Sequence, residues 1–193
     1  MKKKMKQKYI PSKNSRENIR VKIEDLNEKG EGIAFHNKLK INVKKALPGE
    51  DVLVRYMPDR PRKDRIRLLE ILSPSALRTQ PPCQYFEQCG GCQLQHVRYK
   101  KQLEFKQNWL KQLLLSYPQL KQTAVDQVMG MPQPASYRNK TQMPFQKRDE
   151  KIIYGLYQKG THEVTPIDYC LVENKDANRA LQIIREWAEH YRI

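Results

Sequence analysis

No apolar run in this 193-residue chain approaches the length needed to span a membrane. Apolar residues are scarce altogether, at 38%, against the about 45–50% usual for globular domains. The cores are therefore small, and a metal site would help hold them. Acidic residues are also few, 21 against 37 Lys and Arg, which leaves a formal net charge of +16 and a pI near 9.7. Such a surplus points to a polyanionic partner, because each neutralised phosphate releases condensed counterions. A membrane surface would need a long amphipathic helix with a basic face, and none dominates the chain, so no membrane partner is expected. The basic start, Met1 to Lys6, has no apolar segment behind it and is not a secretory signal. A cytoplasmic protein is expected. Glycine is scarce as well, at eight. Gly30-x-Gly32 lacks the third glycine and the following helix of a nucleotide loop. The four histidines, His36, His96, His162 and His190, are scattered without ligand spacing.

Cysteine is limited to four residues, and they carry most of the chemistry. Cys83, Cys89 and Cys92 are spaced C-x5-C-x2-C with Gly90-Gly91 between the last two, and Cys170 is far downstream. Four thiolates can complete one tetrahedral metal site or ligate one cubic iron–sulfur cluster. A local trio with a distant fourth favours the cluster, because structural zinc usually reads as two close pairs. Zinc stays open as the alternative. Two disulfides fit a reducing compartment poorly. Four thiolates around a [4Fe–4S]2+ core carry about −2, and Arg78, Arg98, Lys100 and Lys101 are near enough in sequence to compensate.

The patterning predicts an α+β chain. Residues 1–15 hold six lysines and no acid, a basic arm. Residues 16–73 alternate apolar and polar in short runs, Ile19 to Leu26, Ile33 to Phe35, Leu39 to Val43, Val52 to Tyr56 and Ile66 to Ile71. About five strands with polar turns predict a small OB-like barrel. Arg55, Arg60, Arg62, Lys63, Arg65 and Arg67 cluster around its last turn as a candidate RNA-binding rim. Residues 74–120 begin with a proline-rich linker to Pro82, then hold the cysteine loop and a helix from about Val97 to Ser116. That helix buries Tyr99, Leu103, Leu110, Leu114 and Tyr117. Residues 121–193 are β-rich, with strands expected at 141–146, 152–157 and 163–166. Tyr137, Arg138 and Lys140 are candidate RNA contacts, and Cys170 precedes a final helix with Leu181, Ile184, Trp187 and Tyr191 as its buried stripe.

The C-x5-C-G-G-C run with its distant cysteine, Cys92-Gln93-Leu94-Gln95-His96, Tyr137-Arg138-Asn139-Lys140 and Gly155-Leu156-Tyr157 together resemble the N-terminal portion of the bacterial 23S rRNA (uracil-5-)-methyltransferases. The resemblance covers nearly the whole chain. It implies a TRAM domain for the barrel, a [4Fe–4S] cluster on Cys83, Cys89, Cys92 and Cys170, a central RNA-binding domain, and 23S rRNA as partner with no obligate protein partner. The Rossmann-like domain that binds S-adenosylmethionine in the intact enzyme has no counterpart in these residues, and no catalytic residue can be assigned. The expectation is therefore a truncated rRNA-modification enzyme that lacks the Rossmann-like domain and is inactive alone. The alternative is a freestanding RNA-binding module with structural zinc.

Overall fold

The computed structural model describes residues 16–57, 60 and 65–193. The basic arm 1–15 and rim residues Arg62 and Lys63 lie outside them. The chain divides into two compact units between Arg78 and Thr79.

The first unit contains β1 (Glu17–Lys22), β2 (Asp25–Leu26), β3 (Gly32–His36), β4 (Leu39–Val43), β5 (Asp51–Tyr56) and β6 (Ile66–Ser73). They form two antiparallel three-stranded sheets, ordered β1-β5-β6 and β2-β3-β4. Alternation puts Ile19, Val21 and Ile23 inside with Ala34, Val43, Val52 and Val54, so both sheets share one core. The single strand expected from Ile19 to Leu26 is broken. The Ile23 N–H donates to the Glu50 carbonyl and the Glu24 N–H to that of Ile33, which passes the chain from one sheet to the other.

Glu50 closes this unit. It is fully buried, and its carboxylate accepts from the Leu47 N–H at 2.8 Å, the Ser75 N–H at 3.3 Å and Arg78 Nε at 2.6 Å. Arg78 Nη2 also reaches the Lys45 carbonyl at 2.7 Å. The proline-rich stretch expected as a linker is thus tied at Ser75 and Arg78 to the strands before it.

The second unit contains α1 (Tyr99–Leu115), a 3-10 turn (Pro118–Leu120), β7 (Phe145–Arg148), β8 (Lys151–Tyr154) and α2 (Lys175–His190). Asp149 and Glu150 join β7 to β8 with φ of 47° and 62°, the left-handed pair of a two-residue type I′ hairpin. The strand expected at 163–166 is a looser ladder: Gln158 donates to Glu163, Thr165 to Leu156 and Ile167 to Tyr154. Asn174 caps α2, its side chain accepting the Ala177 N–H at 2.6 Å.

Both helices bury less than their patterns predict. No residue of α1 is buried. Tyr99 accepts the Met131 N–H at 2.8 Å, whereas Leu110 and Tyr117 are exposed. In α2 the covered face is Asn178, Leu181 and Ala188, while Ile184, Trp187 and Tyr191 are exposed. Both faces of α2 carry apolar residues, so periodicity alone does not choose between them.

Candidate metal centre

All four cysteines line one cavity in the second unit, walled by Phe86, Leu156, Ile167 and Val172. Two chain segments bring them there. The first is the 83–92 loop. The Cys89 N–H donates to the Tyr85 carbonyl at 2.8 Å, and the Gly90 N–H to the Tyr157 carbonyl at 3.0 Å. This fastens the loop to the ladder after β8, where Cys89 bridges Gln158. A Cβ on Gly90 would stand 2.5 Å from the Tyr157 oxygen, and one on Gly91 2.5 Å from Leu156 Cδ1. Bare glycines therefore let the loop approach, and the Gly91 N–H points at Cys89 Sγ, 3.4 Å away. Gln95 spans the loop: its side chain bonds Cys92 and accepts the Cys83 N–H at 3.3 Å.

Cys170 is delivered by α2. The Cys170 N–H donates to Asn178 Oδ1 at 2.7 Å, and Asn178 Nδ2 returns a bond to the Cys170 carbonyl at 3.0 Å. Asn178 Nδ2 also reaches the carbonyls of Asn174 and Glu173. A second tie runs through Asp168. Its carboxylate accepts from Tyr85 at 3.2 Å and from Arg185 at 3.3 Å, which joins the cysteine loop to the segment before Cys170. Pattern reading does not reveal Asn178, because a buried asparagine inside an apolar helix face has no periodic signature. Its bonds to the Cys170 backbone imply a test. Asn178→Ala strands a buried N–H and should destabilise the second unit by about 1–3 kcal/mol. Hydrogen exchange at the Cys170 amide should rise with it. Unchanged exchange would show that the amide is held by something else.

Burial pushes the Cys89 and Cys92 thiols above the ordinary cysteine value. The Gly91 N–H and the Gln95 side chain oppose this, and the neighbouring cysteines add to it. Metal ligation requires thiolates, so a bound positive centre would have to offset this burial. Among the described residues, no three His, Cys, Asp or Glu side chains gather closely enough to hold a metal ion. The four cysteines line one cavity together. None of the cysteines is in a disulfide.

The cation on the cavity wall is Arg138. Arg78, one of the residues expected to compensate the thiolates, pairs with Glu50 in the first unit instead. Lys101 pairs with Glu104 at 2.6 Å, and Arg98 and Lys100 are exposed. Tyr137 and Lys140 are exposed beside Arg138. Of the rim residues, Arg55 and Arg67 are direct cross-strand partners, both exposed. Arg55 Nε donates to Asn18 Oδ1 at 3.0 Å, and Arg65 Nε to the Arg60 carbonyl at 3.1 Å.

Residues 13–55 match the TRAM domain family. The chain is 37% identical to an uncharacterized RNA methyltransferase of Clostridium tetani, over 96% of this chain and 40% of that protein. It is 35% identical to an uncharacterized RNA methyltransferase of Enterococcus faecalis, over 91% and 39% of the two. Among solved structures it is similar to the Pyrococcus abyssi tRNA (uracil-54, C5)-methyltransferase in complex with S-adenosyl-L-homocysteine. The TM-score there is 0.61 and the identity 26%, over 90% of this chain and 37% of that one.

These likenesses correct two expectations, that a Rossmann-like methyltransferase domain is absent and that the chain is inactive alone. Nearly all of the chain aligns with methyltransferases, one of them carrying the demethylated cofactor. The aligned stretch is only about two fifths of each. What residues 1–193 lack therefore reports on those residues and gives no ground for calling the protein non-catalytic. The chain carries a TRAM domain, and along nearly its whole length it is similar to RNA methyltransferases.

Proposed function

We propose that this protein is an S-adenosylmethionine-dependent uracil-5-methyltransferase of 23S rRNA, working in the cytoplasm. In this reading the described residues recognise RNA and hold a [4Fe–4S] cluster on Cys83, Cys89, Cys92 and Cys170. The observation that carries it is the convergence of all four cysteines on one cavity. When bound, the cluster would supply sulfur–iron bonds that staple the 83–92 loop to Cys170, a structural role. The zinc-bearing module is favoured less, because a close trio with a distant fourth cysteine is not the two close pairs usual for structural zinc.

The RNA surface is assigned to the TRAM domain's arginine edge and to Tyr137, Arg138 and Lys140. Like charges directly opposite on a sheet are destabilising, yet Arg55 faces Arg67. A bound phosphate chain relieves that repulsion.

The test uses 23S rRNA transcribed with uridine tritiated at C5. Methyl transfer to C5 expels the hydrogen there, so tritium should appear in water only when S-adenosylmethionine is present. Release from tRNA with 23S rRNA untouched would overturn the substrate assignment, and release from neither would overturn the activity.

A further inference from the structure

Arg138 is placed by backbone bonds on both sides. Its N–H donates to the Val172 carbonyl at 2.9 Å, and its carbonyl accepts the Asn174 N–H at 2.9 Å. This short parallel bridge to Glu173 holds residue 138 against the segment that follows Cys170. Glu173 lies inward, 1% exposed, with its Oε1 3.7 Å from Arg138 Nη1. That distance is too long for a hydrogen bond but close enough to bias where the guanidinium points. The other Glu173 oxygen, Oε2, accepts no hydrogen bond among the described residues. Arg138 is therefore anchored on its backbone and attracted at its tip. It is the one cationic side chain among the described residues that line the four-cysteine cavity.

We propose that Arg138 is the charge-compensating partner of the cysteine centre. Its guanidinium forms part of the cavity wall, offsets the negative charge of the loaded cluster and slows the cluster's loss. The proposal rests on the reading that the four cysteines hold an iron–sulfur cluster. Four thiolates around such a core leave about two negative charges, and the rest of the lining offers only neutral groups. A cation that leaves the wall removes the nearest compensation. Outer-shell partners of metal sites act in this way, and their removal typically weakens metal retention by about 10- to 100-fold. Arg138 is also half exposed, so the residue meets solvent as well as the cavity it lines.

The experiment compares the protein with its R138K and R138Q variants, each prepared without oxygen. Iron and sulfide are counted, absorbance near 400 nm is followed under an excess of chelator, and the midpoint potential is titrated. R138Q should lose its iron about 10-fold faster than the parent. Its potential should move downward, because losing a positive charge disfavours the added electron. R138K should keep most of the parent's retention. Equal loss rates in R138Q and the parent would overturn the proposal and leave Arg138 to RNA alone. R138K as labile as R138Q would overturn it too, since the charge would not be what matters. A parent that holds neither iron nor sulfide would overturn the cluster reading itself, a result separable from the other two. Melting the metal-free forms checks that each variant folds, and the Lys variant keeps the comparison open should Gln misfold.

Discussion

Cys89→Ser is expected to leave the protein without iron or sulfide and to unfold the second unit well below the parent's melting temperature. Serine replaces a polarisable sulfur with a shorter, harder oxygen that binds iron poorly and stays protonated. Cys89 sits where the cysteine loop joins the ladder, bridging Gln158 and receiving the Gly91 N–H. A cluster with three ligands no longer ties that loop firmly to Cys170. The rest of the second unit's core is a set of side chains spread over many segments, Phe86, Val97, Ile152, Val164, Ile167 and Val172 among them. No residue of α1 is buried, and one buried cluster of this unit, Met143, Tyr154 and Leu181, has Cys170 packed against it. Treated as a cross-link, the lost staple is worth about 4 kcal/mol on the chain-entropy relation for long loops. The measurements are elemental analysis of protein made without oxygen and thermal melting under the same conditions. Parent-like iron content together with a parent-like melting temperature would remove the metal centre from the fold.

Glu50→Ala should destabilise the first unit by about 3–5 kcal/mol, the range for breaking a buried ion pair by removing one partner. The carboxylate has no exposed surface and answers four donors: the N–H groups of Leu47 and Ser75 and two nitrogens of Arg78. Alanine leaves the Arg78 guanidinium facing an apolar gap and strands both N–H groups. Denaturant unfolding of the first unit reads the effect directly, and a loss below about 1 kcal/mol would mean that the site relaxes or floods with water.

The same carboxylate sets an acid limit. Burial alone would push its pKa up, but the bonds from Arg78, Leu47 and Ser75 and the guanidinium charge outweigh burial and hold it below the ordinary carboxylate value. A group lowered on folding contributes stability that is fully present above its unfolded value and is lost as the pH falls through the folded one. The first unit should therefore weaken on acidification below the usual carboxylate range. Glu50→Gln should flatten that dependence.

Several features of the fold were legible residue by residue. Alternation at Ile19, Val21, Val52 and Val54 marked inward positions, because a strand's side chains alternate with a period of two. The helix expected from about Val97 and found at Tyr99–Leu115, and the helix after Cys170, followed from spacing and from Pro118. The break at Ile23-Glu24 was not legible, because both residues fit a continuous strand. Only their bonds to Glu50 and Ile33, distant in sequence, make the chain change sheets. The α2 face failed for a related reason. Ile184, Trp187 and Tyr191 are the more apolar side, but Asn178 is drawn inward by the Cys170 backbone.

By itself the sequence determined the composition of the candidate centre and the sign of the charge. Four cysteines, two adjacent glycines and a basic surplus are facts of residue type and local spacing, and they require no folding to be read. Only the tertiary structure decided that the four sulfurs face one cavity, that Arg138 is the cation on its wall, and that Arg78 belongs to Glu50 instead. Each of those is a meeting of residues tens of positions apart. Such meetings are set by how the strands and helices pack, and a linear pattern carries no record of that packing.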